Sequence, residues 1–262
     1  MSSTALDAEL RVERSGQVVT ITFNRPHARN AMTWNMYDGL ERACEDIDAD
    51  DGIRVAVLRG AGGKAFVAGT DITQFTEFET AEDGLAYEQR IGRVVQRLET
   101  VRVPTIARVD GYAVGGGLSL AAACDLRICT PEAKFGLPIA RTLGNCVSIA
   151  TCARLVALIG SARALQLVYT AELISAEQAG ATGLVTELVP ADQIEARVEA
   201  LAAQIAGHAP LTMSATKQMV HRLADHDLPD AEDLIAACYG SADFHEGVRA
   251  FVDKQKPTWT GR

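Results

Sequence analysis

An α/β fold is predicted by three features of this sequence. Strand-like apolar segments trade places with stretches of helical apolar spacing through the first two thirds. Glycine clusters stand just past the ends of the strand-like segments, and the last third turns to helical patterns. In α/β sheets the strand-end edge is where ligands bind.

The elements follow in order. "LRVERSGQVVTITFNRP" alternates apolar and polar residues on either side of Ser15-Gly16 and stops at Pro26, which predicts a hairpin. Met36, Leu40, Ala43, Cys44 and Ile47 fall at helical spacing, with Thr33 as the cap. "IRVAVLRGAG" is a strand running into a glycine turn, and Tyr87, Ile91, Val94, Val95 and Leu98 mark the next helix. "VPTIARVDG" is a strand followed by the helix of "GGGLSLAAACD". From about Ser161 the pattern is helical; Ile194, Val198, Leu201 and Ile205 form one apolar stripe, and Pro190 and "HAPLT" punctuate the region.

A chain of 262 residues suits one large domain, or a main domain with a small helical appendage. The expected division is a core over 1–200 and a C-terminal helical region over 201–262. A net charge of −9 argues against nucleic acid or an anionic membrane as partner. No run approaches the roughly 20 apolar residues of a membrane span. "MSSTALDAEL" lacks the basic and apolar regions of a signal peptide, so a cytoplasmic location is expected. The six cysteines form no CxxC pair and are expected to be reduced thiols, with no metal site.

Two glycine turns suggest chemistry. Glycine inside a helix costs roughly 1 kcal/mol relative to alanine, so Gly115, Gly116 and Gly117 need a reason in close approach. A helix start has N–H groups without intrahelical partners and can receive an anion. The stretch "GGKAFVAGTDI" places a second small-residue turn after an earlier strand. If the N–H groups of Thr70 and Gly116 share one target, they form an oxyanion hole.

With these motifs in order, the sequence resembles the crotonase (enoyl-CoA hydratase/isomerase) superfamily over nearly its whole length. The segments that carry the resemblance are "FNRPHARNAM", "KAFVAGTDI", "VDGYAVGGGLSLAAACDLRI", "LISAEQAGATGLV" and "EGVRAFVDKQKPTW". The resemblance implies a spiral of ββα units with a C-terminal helical trimerisation region, and homotrimers that can pair into a dimer of trimers. It implies an acyl-CoA thioester as ligand, with coenzyme A as part of the substrate and no bound cofactor. Thr70 and Gly116 take the positions of the oxyanion donors. Ala68 and Gly69, with Asp71 and Ile72 beside them, lie along the path of the coenzyme A arm. Arg29 approaches its phosphates, and Phe251 and Lys254 match residues that touch the nucleotide of a neighbouring subunit.

The chain departs from the family where acid–base chemistry is expected. The two positions that carry glutamates in ordinary hydratases are Ser119 and Ile139 here. A positioned acid or base contributes roughly 10²- to 10⁴-fold, so hydration by the usual route is disfavoured. Asp71, Asp110 and Asp125 read as structural, and none of the histidines His27, His208, His221, His226 and His245 falls in an oxyanion segment. The segment "IARTLGNCVS" predicts a loop followed by a helix starting near Asn145. That would put the Cys146 thiol at a helix N-terminus, where its pKa would be lowered. Arg141, Thr142, Asn145 and Cys146 are therefore the candidates beside Ser119. The expected activity is enolate stabilisation, with hydration, isomerisation, decarboxylation and C–C cleavage open. The alternative is a non-catalytic thioester-binding or assembly subunit.

Overall fold

The computed structural model describes residues 8–224 and 232–260. The start of the N-terminal stretch discussed above and His226 lie outside these residues. The predicted hairpin pairs β1 (Leu10–Ser15) with β2 (Val18–Phe23) antiparallel. Helix α1 (Trp34–Ala49) starts at Thr33, whose hydroxyl accepts from the N–H of Met36, and it buries the expected stripe together with Tyr37. The chain continues through β3 (Val55–Gly60), β4 (Ala65–Val67), α2 (Ala81–Glu99), β5 (Thr105–Val109), β6 (Tyr112–Val114) and α3 (Gly116–Ala123). Next come β7 (Leu126–Cys129), β8 (Lys134–Gly136) and α4 (Ile139–Thr142).

These elements repeat as strand, strand, helix. In the first unit both strands, β1 and β2, join a six-stranded sheet of order β1-β2-β3-β5-β7-β10; in the next three the first strand joins that sheet and the second joins a four-stranded sheet of order β4-β6-β8-β9. Neighbours β2 to β3, β3 to β5 and β5 to β7 are parallel, as are β4 to β6 and β6 to β8. The short strands β4 and β6 were hidden in the sequence because three residues are too few to show a period. Helices α5 (Ile149–Ile159) and α6 (Ser161–Tyr169) precede β9 (Ile174–Ser175), α7 (Ala176–Ala181) and β10 (Glu187–Leu188). Two short strands thus lie in the stretch expected to be helical.

Helix α8 (Ile194–Ala206) runs across residue 200 and closes the outer face of the larger sheet. Ile194, Val198 and Ala202 pack there on Val55, Val57, Ile106 and Ile128. The opposite faces of the strands feed a larger core that includes Phe23, Tyr37, Leu58, Phe66 and Tyr239. Helices α9 (Pro210–Ala224), α10 (Glu232–Tyr239) and α11 (Ala242–Val252) end the fold. Among the described residues no helix is long and apolar enough to cross a membrane.

Candidate active site

The first turn of the site is built by the loop after β2. Asn30, in the left-handed region at φ 59°, is fully buried. Its amide donates to the carbonyls of Ala61 at 3.0 Å and Ala65 at 2.8 Å, and its Oδ1 accepts from the N–H of Arg25. Arg25 in turn donates to the Ala31 carbonyl and pairs with Asp71 at 2.9 Å. Asp71 therefore braces the turn; burial would raise its pKa, but hydrogen bonds from Thr73 and Arg25 outweigh that and lower it. Thus held, the loop forms a parallel bridge between Met32 and Thr70. The N–H of Met32 donates to the Gly69 carbonyl and the N–H of Asp71 donates to the Met32 carbonyl, each at 2.9 Å. Backbone groups alternate in direction along an extended chain, so the intervening Thr70 N–H points to the other side.

The second turn follows β6. Gly115, at φ 57° and ψ −125°, donates its N–H to the Gly136 carbonyl at 3.0 Å. Gly116 then opens α3, where its N–H has no intrahelical acceptor. The two turns touch. A Cβ on Gly115 would stand 3.7 Å from the Gly69 Cα, and one on Gly116 would stand 3.9 Å from the Thr70 nitrogen. At Gly117 a Cβ would fall 1.9 Å from the Val67 carbonyl oxygen, so the third glycine lets the helix seat against β4. The Thr70 side chain is held as well. Its hydroxyl lies 2.8 Å from the hydroxyls of both Tyr37 and Tyr87. Burial pushes the Tyr37 phenol up to about 12 and raises Tyr87 well above its ordinary value, so both stay neutral.

Two hollows meet at this point. An open cleft of about 460 Å³ is lined by Ala68, Gly69, Thr70, Asp71, Ile72 and Gly116, with Arg29, Arg141 and Phe251 at its sides. The Arg29 guanidinium stacks 5.4 Å from the centre of the Tyr112 ring. Lys254 is exposed just beyond α11 and does not line the cleft. Behind it lies a chamber of about 60 Å³, bounded by Glu88, Ser119, Ile139, Asn145, Cys146 and Arg154 among others. Gly115, Gly116, Tyr87, Ile139 and Asn145 border both.

The chamber corrects part of the sequence reading. Residues 139–142 form a short helix, and α5 starts at Ile149 with Ser148 as its cap, so Cys146 lies in the connecting loop rather than at a helix N-terminus. Its thiol pKa is raised, first by hydrogen bonding with Cys238 and then by burial, whereas a helix start would have lowered it. Ser119 is buried and donates only a long bond, 3.5 Å, to the Gly115 carbonyl. Asn145 donates to the Tyr239 hydroxyl at 3.2 Å and leaves its own Oδ1 buried without a partner. Asp125 accepts from Thr105 and pairs with Lys217, and Asp110 pairs with Arg108, both as structural ties.

Sequence reasoning missed Glu88. It sits one helical turn after Gly84 on α2, a helix begun by a capping box of Thr80 and Asp83. A Cβ on Gly84 would lie 2.1 Å from the Tyr239 ring, so this glycine allows α10 to press onto α2. The Tyr239 hydroxyl then donates to the Glu88 carboxylate at 2.7 Å. Glu88 keeps some surface but is closely surrounded by protein, and loss of solvation pushes its pKa up to about 7, against hydrogen bonds from Tyr239 and the Ser148 N–H. The signal available was a small residue one turn before a charged one on the buried side of a helix. Alone, that pattern is too common to single out.

Comparison with known proteins decides the lineage. Residues 13–262 match the family model described as enoyl-CoA hydratase/isomerase. The chain belongs to the enoyl-CoA hydratase/isomerase family. It is 33% identical over 249 residues to a short-chain-enoyl-CoA hydratase of Clostridium acetobutylicum, covering 94% of this chain and 95% of the relative. Among solved structures, an enoyl-CoA hydratase/carnithine racemase from Magnetospirillum magneticum is 36% identical at a TM-score of 0.80, covering 97% and 96% of the two chains. A methylmalonyl-CoA decarboxylase in complex with 2-nitronate-propionyl-CoA superposes at a TM-score of 0.88 with 26% identity, covering 97% and 99%. The α/β architecture of the enoyl-CoA hydratase/isomerase family member described here is therefore the crotonase fold expected from its motifs.

Proposed function

We propose that the protein is an acyl-CoA thioester enzyme that holds the thioester oxygen on the N–H groups of Thr70 and Gly116 and stabilises the enolate that forms there. The observation that carries this reading is the contact of the two turns, whose neighbouring amides are spent on Met32 and Gly136 while these two are not. Two such donors at a developing oxyanion act without reorganisation, and one is typically worth about 2.7–4 kcal/mol. The cleft suits the coenzyme A arm, with Ala68, Gly69, Asp71 and Ile72 along it and Arg29, which stacks on Tyr112, at its side for phosphate. The acyl group then extends into the chamber. Since an apolar cavity of roughly 150 Å³ holds a benzene molecule, 60 Å³ suits a short acyl chain. In this reading the chain assembles as a homotrimer or a dimer of trimers through residues 201–262, a role that fits the exposed Leu211, Met219 and Leu223 of α9.

The second reading is a thioester-binding subunit without turnover, favoured by buried Ile139 at a position where ordinary hydratases carry glutamate. One experiment separates the two. Purified protein is incubated with crotonyl-, butyryl- and methylmalonyl-CoA; binding is followed by calorimetry and products by mass spectrometry. Binding with turnover supports the enzyme, binding without turnover the subunit, and no binding of any thioester defeats both.

A further inference from the structure

We propose that Glu88 is the proton-transfer group of this site, taking over from α2 the work that positions 119 and 139 no longer supply. The inference rests on the reading of Thr70 and Gly116 as oxyanion donors and adds to it the base that such donors need.

Four structural observations carry it. Glu88 lines the same small chamber as Gly116, Ser119 and Ile139, so an acyl group reaching past the two amides lies beside its carboxylate. The carboxylate is aimed and held by the Tyr239 hydroxyl at 2.7 Å, and Tyr239 is itself held by Asn145. The approach of α10 that makes this possible depends on Gly84, where any side chain would collide with the Tyr239 ring. Among the described residues no arginine or lysine pairs with Glu88; Arg154, which also lines the chamber, gives its Nε and Nη2 to Glu99 and leaves its Nη1 buried without a hydrogen bond to Glu88. The carboxylate is therefore neither neutralised nor pinned by a cation.

The step balances without a further reactant. The Cα–H bond of the bound thioester breaks, its proton passes to a Glu88 oxygen, and its electron pair becomes the enolate held by the Thr70 and Gly116 amides. Glu88 then returns the proton to carbon. The other titratable and charged groups around the carboxylate are Tyr87 on α2, Tyr37 on α1, Tyr239 on α10, Cys152 and Arg154 on α5 and Cys146 in the preceding loop; burial raises Tyr87, Tyr37, Tyr239 and Cys152, while hydrogen bonding with Cys238, then burial, raises Cys146. Cys238 is lowered to about 7 by its hydrogen bond with Cys146, but it does not line the chamber. Glu88, raised to about 7, is thus the group facing the chamber that changes charge near neutral pH.

The test is deuterium exchange into the α-carbon of butyryl-CoA in D₂O, read by mass spectrometry alongside calorimetric binding and thermal melting. Wild-type protein should exchange with a rate that rises with pH to a plateau above about 7. Glu88→Gln should bind butyryl-CoA and stay folded while losing at least about 100-fold in exchange together with the pH dependence. Glu88→Asp should recover part of the rate, and Cys238→Ala should keep the wild-type profile. Exchange by Glu88→Gln at the wild-type rate, loss of the pH limb in Cys238→Ala, or binding without exchange in the wild type overturns the assignment while leaving the thioester site intact. Failure of the wild type to bind any thioester overturns the underlying reading as well.

Discussion

The cleft turn and the chamber behind it share Gly115 and Gly116, yet they are made of different material. The turn is backbone: two amides are oriented because their neighbours are spent on Met32 and Gly136, and glycines let the segments touch. The chamber is side chain: a carboxylate, a phenol and an amide brought by α2, α10 and the loop before α5. Backbone chemistry depends on the absence of side chains and leaves a dense mark in sequence. Side-chain chemistry depends on which helix reaches the hollow, and can move between helices while the turn stays as it is.

The largest effect should come from breaking the backbone half alone. Gly116→Pro removes one donor at the first residue of a helix, where proline is tolerated. We expect turnover or α-carbon exchange to fall about 10²- to 10³-fold, the usual loss for one oxyanion donor. Circular dichroism melting should show the fold retained, although the Tyr37 hydroxyl, 3.0 Å from a Cβ there, must give slightly. A variant that is folded and fully active would mean that the amide takes no part.

The next test isolates the chamber through stability. Glu88 rises from 4.5 to about 7 on folding, so between those pH values the folded protein keeps a proton that the unfolded chain has released. Stability from this group is complete below pH 4.5, is lost as pH climbs to about 7, and is flat beyond. The total is roughly 3 kcal/mol. Glu88→Gln lacks this dependence, so its stability relative to wild type should climb by about that amount between pH 4.5 and 7.5, measured by urea unfolding. No change in the difference would place the carboxyl in a solvated environment.

This contrast also explains what could be read in advance. Thr33, the α1 stripe and the hairpin were legible because capping and periodicity are local. The pairing of the turns at residues 68–70 and 115–117 was legible through family motifs, and Asn30, buried and bonded to Ala61 and Ala65, gives those motifs their physical basis. Glu88 was not legible, since its environment is set by Tyr239, 151 residues away. Cys146 was misplaced because the helix expected near Asn145 begins only after Ser148, whose hydroxyl accepts from the Thr151 N–H and caps α5.

A smaller effect should follow from loosening the contact that aims the carboxylate. Gly84→Ala puts a methyl group into the Tyr239 ring, and overpacking of this kind costs typically about 1–3 kcal/mol. The helices must part, so the bond from Tyr239 to Glu88 should lengthen and exchange should fall while thioester binding in the cleft persists. Loss of binding in parallel would mean that the two halves of the site are mechanically one.

The smallest effect should come from Ser119→Ala, although the family resemblance leads one to expect a catalytic glutamate at position 119. The serine hydroxyl is buried, and among the described residues its hydrogen bond is a 3.5 Å contact to the Gly115 carbonyl at the start of its own helix, with no carboxylate or imidazole bonded to it to remove its proton. A hydroxyl bonded back to the preceding turn contributes little to a helix, and alanine fits the same backbone. We therefore expect less than about a tenfold change in kcat, equivalent to under about 1.4 kcal/mol. A loss of hundredfold or more would return proton transfer to the glycine helix, and the chamber would then owe its chemistry to the same segment as the turn.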